Sequence, residues 1–413
     1  QYRVNNSDRF VYNWNKELEE FAPDYDEDAS NCFENQYSNH LFNLAVRTSR
    51  KKYNYNIGAD FEPQKSVSRS LLEKATPAEE PLRKSVFNIS PTVNFRYKFS
   101  KRTRLQIVYR GKSRQPNIRD LQPVTDRTNP LNIRVGNPGL KPSFTHSMRL
   151  FYNTYNAELQ RGIMTHASFS ATQNSISNST EYDDQTGART TTPKNINGNW
   201  SAFGMFGFNT ALKNKKYTIN SFTNVNYQNN VAFLYNQDTK VDDKNKTTGL
   251  TLSERLNGAY RNDWFEFGLN GSISYTAERS KLRPENNQEP YTFSYGANTQ
   301  LMAPWNMTFT TNIANQSRRG YTDASMNRNE LIWNAQLSQT FLKGAATISL
   351  ELYDILKQQS NISRSLTADG RSVSEYNGIN SYCMVHFIYR LNIFGSKAAR
   401  EKMQGRGGFG GHG

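Results

Sequence analysis
The chain has 413 residues, a net charge of +15, 36% apolar residues and an aromatic-rich complement of 24 Phe, 23 Tyr and 5 Trp. Its mean hydropathy is −0.80, and no run of about 18 apolar residues exists, so a transmembrane helix is excluded. The basic residues are strung along strands, turns and the tail rather than clustered on a helix, which excludes the usual nucleic-acid footprints and points to anionic lipid headgroups, lipopolysaccharide or an anionic solute.

Residues 1–14 read as a strand ending at Trp14, and 15–35 as a polar loop holding Asp24, Asp26, Glu27 and Asp28. That acidic run lacks the calcium-loop pattern and reads as solvated. Cys32 falls in this loop, and Cys383 is an apolar filler on the last strand rather than its disulfide partner. Strand 36–49 turns at 50–52 and returns through Tyr53, Tyr55, Ile57, Ala59 and Phe61. A second loop spans 70–83.

Then comes the clearest stretch of the sequence. Phe87, Ile89, Pro91, Val93, Phe95, Tyr97 and Phe99 alternate with Asn88, Ser90, Thr92, Asn94, Arg96, Lys98 and Ser100. After the basic turn 101–102, Leu105, Ile107 and Tyr109 alternate with Arg104, Gln106 and Arg110. A period of two gives a hairpin with one greasy and one polar face, and its strands are long enough for the ~9–11 residues that cross a bilayer at a tilt.

The unit repeats. A Pro-rich loop at 115–143 precedes strands 144–156 and 161–176. Loop 177–195 is rich in Ser, Thr, Asn and Asp. Strands 196–212 and 216–229 follow, then a charged loop, 230–246. Strands 247–258 and 263–277 carry Phe265, Phe267, Leu269 and Ile273 on one face. Strands 291–302, 305–316, 328–341 and 345–354 come next. A long loop, 355–376, leads to a final strand, 379–394, with Cys383, Val385, Phe387, Tyr389, Leu391 and Ile393 alternating before Phe394. Residues 395–413 read as a disordered Gly-rich, basic periplasmic tail. Short turns alternate with long loops, as in a barrel threaded through an outer membrane with tight turns on the periplasmic side.

The expected fold is therefore all-β: a transmembrane antiparallel up-and-down β-barrel with about 16 strands over residues 1–394. Phe87, Phe95, Tyr97, Phe265, Phe267, Phe387 and Tyr389 should face lipid. Arg96, Lys98, Arg104, Arg110, Arg149 and Arg390 should face the lumen, because charge on the lipid side would cost ~2–4 kcal/mol at mid-depth. They are candidates for holding a plug or lining an anionic path. His40, His146, His166, His386 and His412 are scattered, and no catalytic constellation, metal-ligand spacing or phosphate-binding glycine loop is legible. The expectation is no enzyme and no cofactor.

Gly136, Asn137, Pro138, Leu140, Lys141 and Pro142 lie in Val135-Gly-Asn-Pro-Gly-Leu-Lys-Pro142. Physically this is a re-entry turn that starts a strand. It also resembles the "GNPxLKP" signature of TonB-dependent receptor barrels. Leu350-Glu-Leu-Tyr-Asp-Ile-Leu356 resembles their penultimate strand, and 382–394 their closing strand. The combination is most similar to the outer-membrane β-barrel family common in Bacteroidetes. The resemblance implies a barrel of 22 strands, as in plugged outer-membrane transporters, of which this chain would be the C-terminal part, lacking the N-terminal plug domain. It further implies nutrient import driven through the TonB system in a Gram-negative outer membrane, with a surface lipoprotein as a possible partner and no nucleic acid. A non-transport barrel in protein export or envelope assembly, and a barrel enzyme, are the alternatives.

Overall fold
Phe95 pairs with Tyr55 on one side and Ile107 on the other, and this apolar row continues strand after strand. In the computed structural model, residues 1–390 are described apart from 16, 18, 27–29, 72–80, 123–124, 127–128, 213–214, 322–323 and 367–370. One 17-stranded sheet dominates. Its strands are β1 (Tyr2–Arg9), β2 (Asn31–Asn39), β3 (Phe42–Ser49), β4 (Tyr53–Ser70), β5 (Leu82–Lys98), β6 (Thr103–Arg114), β7 (Ser143–Asn156), β8 (Arg161–Gln173) and β9 (Asn199–Ala211). They continue as β10 (Tyr217–Asn236), β11 (Val241–Arg261), β12 (Phe265–Ser280), β13 (Tyr291–Ala303), β14 (Met307–Arg319), β15 (Asn329–Phe341), β16 (Ala346–Tyr353) and β17 (Tyr382–Tyr389).

Apart from β2 and β3, neighbours in the chain are antiparallel neighbours in the sheet, from β1 on β2 to β16 on β17. β2 and β3 lie in line against β4 in one register, Asn39 opposite Gln64 and Phe42 opposite Phe61. They act as one stave, so the 17 strands make a wall sixteen staves wide. This is the wall of an up-and-down β-barrel.

The wall has no dry core behind its apolar face. Among the described residues the buried apolar side chains are Leu121, Leu140, Ala188, Ile196, Met326 and Ala346, whereas Phe87 is 60% exposed and Phe387 63%. In a water-soluble sheet such rings would be covered; in a membrane barrel an outward apolar band is the rule. No described helix is long and apolar enough to cross a membrane.

The short turns are built by local chemistry. Asn156 Oδ1 accepts from the N–H groups of Glu158 and Leu159, and Asn262 Oδ1 from those of Trp264 and Phe265. Gln160, Lys215, Asn306, Leu342 and Lys343 take positive φ at these tips. Trp264 and Trp305 stand exposed beside them, at the level of an interfacial aromatic belt.

Several expected loops are strands. Ser175–Tyr182 pairs with Arg189–Ile196. β10 and β11 run on to Asn236 and back from Val241, and Ile362–Leu366 pairs with Arg371–Glu375. Their apolar residues, such as Ile176, Val231, Phe233 and Leu234, do not fall at a sustained period of two, and polar residues dominate around them, so these stretches read as loop. The first strand stops at Arg9; Trp14 instead stacks edge-on with Phe21, ring centroids 4.9 Å apart, in a small Trp14–Asn15/Glu20–Phe21 pairing. Cys32 lies on β2 rather than in a loop, and both cysteines are free. The last strand spans Tyr382–Tyr389; Phe394 and the tail 395–413 lie outside the described residues, as do Glu27, Asp28 and His412.

Candidate functional site: the polar face and the loop clamp above it
The loop after β6 folds against the face opposite Phe87 and Ile89. Gln115 Nε2 donates to Asn88 Oδ1 at 3.2 Å, and Gln122 Nε2 to Ser68 Oγ at 3.0 Å and Asn35 Oδ1 at 3.3 Å. Asn35, Ser68 and Asn88 alternate with the greasy set, so the loop covers the polar side of the wall.

On this side the ladder sets Lys98 directly opposite Arg104, with Arg96 two residues from Lys98 and opposite Gln106. Arg110 faces Thr92 and Ser147, and Arg149 lies opposite Val108 and Ser168 on the same face. Arg47 joins them: with Asn54, Asn56, Asn94 and Arg96 it lines a cavity of about 290 Å³. Arg390 sits apart, one residue beyond β17, its N–H donating to Ala345 O. Among the described residues none of these cations has a carboxylate within ion-pair distance. The acids Asp60 and Glu62 on the same face are met instead by the amides of Asn43 and Asn39. Like charges directly across a strand pair are destabilising, so Lys98 and Arg104 are not placed there for the stability of the wall.

A second cavity of about 290 Å³ lies between this face and the loop, lined among others by Arg3, Asn35, Tyr37, Gln64, Lys84 and Gln115. It is amide-rich, with two cations and one phenol. Lys84 Nζ donates to Leu140 O at 3.1 Å and Pro138 O at 3.4 Å, which holds the loop over the cavity. The Gln64 Oε1 atom is buried without a partner. Sequence reading missed Arg3, Arg47 and Lys84, although the parity of β1, β3 and β5 carries the signal: each occupies the polar phase of its strand.

The Gly-Asn-Pro-Gly-Leu-Lys-Pro segment ties two loops to the wall. Asn137 N–H donates to Asp120 O, where Asp120 lies in the short helix α1 (Ile118–Leu121) and forms an ion pair with Arg134. Asn137 Nδ2 donates to Pro193 O at 2.9 Å, and its Oδ1 accepts from Gly139 N–H at 2.9 Å. Lys141 and Asn195 exchange two bonds, 2.7 Å from Lys141 N–H and 3.0 Å back to Lys141 O. Leu140 is fully buried. Val135 and Arg134 extend a four-stranded sheet with Ser175–Tyr182 and Arg189–Ile196, and that sheet is braced on β11 by the Lys194–Asp242 ion pair and by Ser179 Oγ donating to Asp242 Oδ1 at 2.5 Å. The segment is thus a clamp between two outer loops and the wall, with Pro142 leading into β7.

An exterior of exposed rings, a polar interior face and outer loops tied above it are the features of an outer-membrane barrel. The pattern of a family described as the outer membrane protein beta-barrel family matches residues 1–260 and 242–389. The chain belongs to that family. None of the curated proteins compared matches the sequence. Among solved structures, similar ones include the outer membrane transporter YddB from Escherichia coli, at 9% identity over 86% of this chain and 74% of that one, with a TM-score of 0.23. Another is P. aeruginosa FpvA, solved bound to a heterologous pyoverdine–iron complex, at 10% identity over 86% of this chain with a TM-score of 0.26. This chain spans 58% of the length of FpvA. Family membership places the barrel in the outer membrane.

Proposed function
We propose that this barrel is the wall of a TonB-dependent outer-membrane importer whose cargo is an anionic, polar nutrient. The observation that supports the cargo class is the unneutralised cation cluster on the polar face: Arg47, Arg96, Lys98 and Arg104, with Lys98 and Arg104 set opposite each other against the interest of the fold. A wall that only needed a wet interior would use amides and hydroxyls. In this reading the outer loops, braced by the clamp, capture the solute. The cavity beneath residues 115–122 holds it, and Arg96, Lys98, Arg104, Arg110 and Arg149 draw it inward along a positive field. A plug domain, the TonB system that displaces it, a surface lipoprotein and lipopolysaccharide complete the machine by resemblance.

The charge reading is tested by reconstituting the chain in planar bilayers across a KCl gradient. The reversal potential should report anion selectivity, and Arg96→Ala with Arg104→Ala should reduce it. A cation-selective pore, or selectivity indifferent to both substitutions, overturns the proposed cargo. For the energised step, uptake by cells carrying the full-length protein should cease when the inner-membrane proton gradient is collapsed; uptake that continues overturns the TonB assignment.

A further inference from the structure
Between the aromatic belts, the outward phase of β9 to β12 carries one acidic side chain where none is expected. Thr223 of β10 pairs with Glu254 of β11 in the row that also contains Val225 opposite Leu252 and Ser221 opposite Leu256. Phe206 of β9 and Ile273 of β12 extend the Thr223–Glu254 pair on either side. Val225, Leu252, Leu256 and Ile273 are 41–54% exposed, so this row faces the bilayer. Its depth follows from the aromatic belts. Tyr227 stacks on Trp200 at 4.9 Å at the outer level, and Tyr217 packs on Tyr260 at 4.9 Å at the turn level. Thr223 is four residues from the first and six from the second, or ~13 and ~20 Å along the strand at about 3.3 Å per residue. Glu254 therefore sits near the middle of the hydrocarbon.

Ser221 Oγ donates to Glu254 Oε1 at 2.7 Å and Thr223 Oγ1 to Oε2 at 2.5 Å. A carboxyl group has capacity for more than the two bonds the wall supplies, and hydrocarbon offers no others. Headgroups at the belts do not reach this depth. A second copy docked face to face brings no remedy, because between the belts the outward phase of β9 to β12 holds no Lys or Arg. The surface is also hollow. Gly204 and Gly258 share the outward phase, and a Cβ built on either meets nothing within 4 Å, which lets another backbone approach closely.

We propose that Ser221, Thr223 and Glu254 form a lateral docking site, within the membrane, for a second membrane-spanning polypeptide that presents a Lys or Arg at this depth. Ionisable side chains inside a membrane are costly and are kept where they meet a partner. This site lies on the outside of the wall, away from the cations of the polar face, so it stands or falls independently of the cargo.

The test is a photo-crosslinking side chain in place of Leu256, in the full-length protein in its native outer membrane, with the adduct sequenced by mass spectrometry. The expected result is one membrane-spanning partner, crosslinked next to a Lys or Arg, with Glu254→Gln lowering the yield by about tenfold or more. A crosslinker in place of Leu350, on the same face but on β16, should not capture it. Glu254→Gln keeps the side-chain shape, and unchanged heat-modifiable migration of the barrel confirms that it still folds. Adducts to lipid alone, adducts to a second copy of this chain, or a yield unaffected by Glu254→Gln each overturn the proposal.

Discussion

Gly136→Ala is the sharpest perturbation of the loop clamp. A Cβ at this position would lie 1.7 Å from the carbonyl oxygen of Gln122 and 2.8 Å from its carbon. An ordinary contact there needs more than 3 Å, so one of two backbones must move by well over an ångström. Neither is free to do so. Gln122 is pinned to Ser68 and Asn35, and Asn137, next to Gly136, is pinned to Asp120 O and Pro193 O. Relieving the overlap breaks about two of these bonds, at roughly 0.5–1.5 kcal/mol each, beyond the about 1–3 kcal/mol usual for overpacking. The sum, roughly 2–6 kcal/mol, falls on the outer loops and not on the ladders. Purified barrel in detergent should therefore keep its heat-modifiable migration and its strand content. Residues 115–143 and 174–198 should become cleavable by a protease that spares the parent. Gly204→Ala, whose new Cβ meets nothing, is the control and should behave as the parent. If Gly136→Ala leaves the loops as resistant as Gly204→Ala does, the clamp does not hold them.

Leu140→Ala should loosen the same loops by about 2–5 kcal/mol, the cost of emptying a buried leucine site, read as the same protease sensitivity with an intact barrel. Lys98→Glu replaces a like-charge pair across β5 and β6 by an opposite one, and should raise barrel stability by about 0.2–1 kcal/mol while reducing anion selectivity in bilayers; a loss of stability would contradict the pairing seen here. A hydrogen bond from Arg279, and a second from Tyr275, hold the Glu289 carboxyl below the usual carboxylate range. A depressed folded value means that the brace is present above the unfolded value of about 4.3 and is lost as pH falls through the folded one. Proteolysis of the 281–290 loop should accordingly rise below about pH 4, and Glu289→Gln should remove that dependence.

The wall was legible because hydrocarbon imposes its own pattern. The period of two read around Phe95, Phe267 and Phe387 is the period of the ladders, which keep these rings in one apolar phase from β3 to β17. What lies above the membrane was less legible. In Ser175–Tyr182 and Arg189–Ile196 both faces meet water or other polar loops, so the sequence of a strand there resembles that of a loop. The cavity under residues 115–122 joins Arg3, Tyr37, Lys84 and Gln115, residues that only the register of four strands and the fold-back of a loop bring together. Glu254 was hidden for a different reason. Its own strand carries the signal, since Leu250, Leu252 and Leu256 share its phase against Thr251, Ser253 and Arg255, but a single acid inside an apolar row does not disturb the alternation and so does not stand out.

The account rests on the two faces of the wall seeing different solvents. The direct measurement replaces Cys32 and Cys383 by Ser, places single cysteines at Phe95, Arg96, Phe267, Asn270 and Phe387 in turn, attaches a nitroxide, and records collisional relaxation by oxygen and by a water-soluble nickel chelate in proteoliposomes. The labels at Phe95, Phe267 and Phe387 should be relaxed by oxygen and shielded from nickel, and those at Arg96 and Asn270 the reverse. If all five respond alike, or if the three aromatic positions are sheltered from both reagents, those rings are packed in protein and the barrel does not stand in a membrane as described.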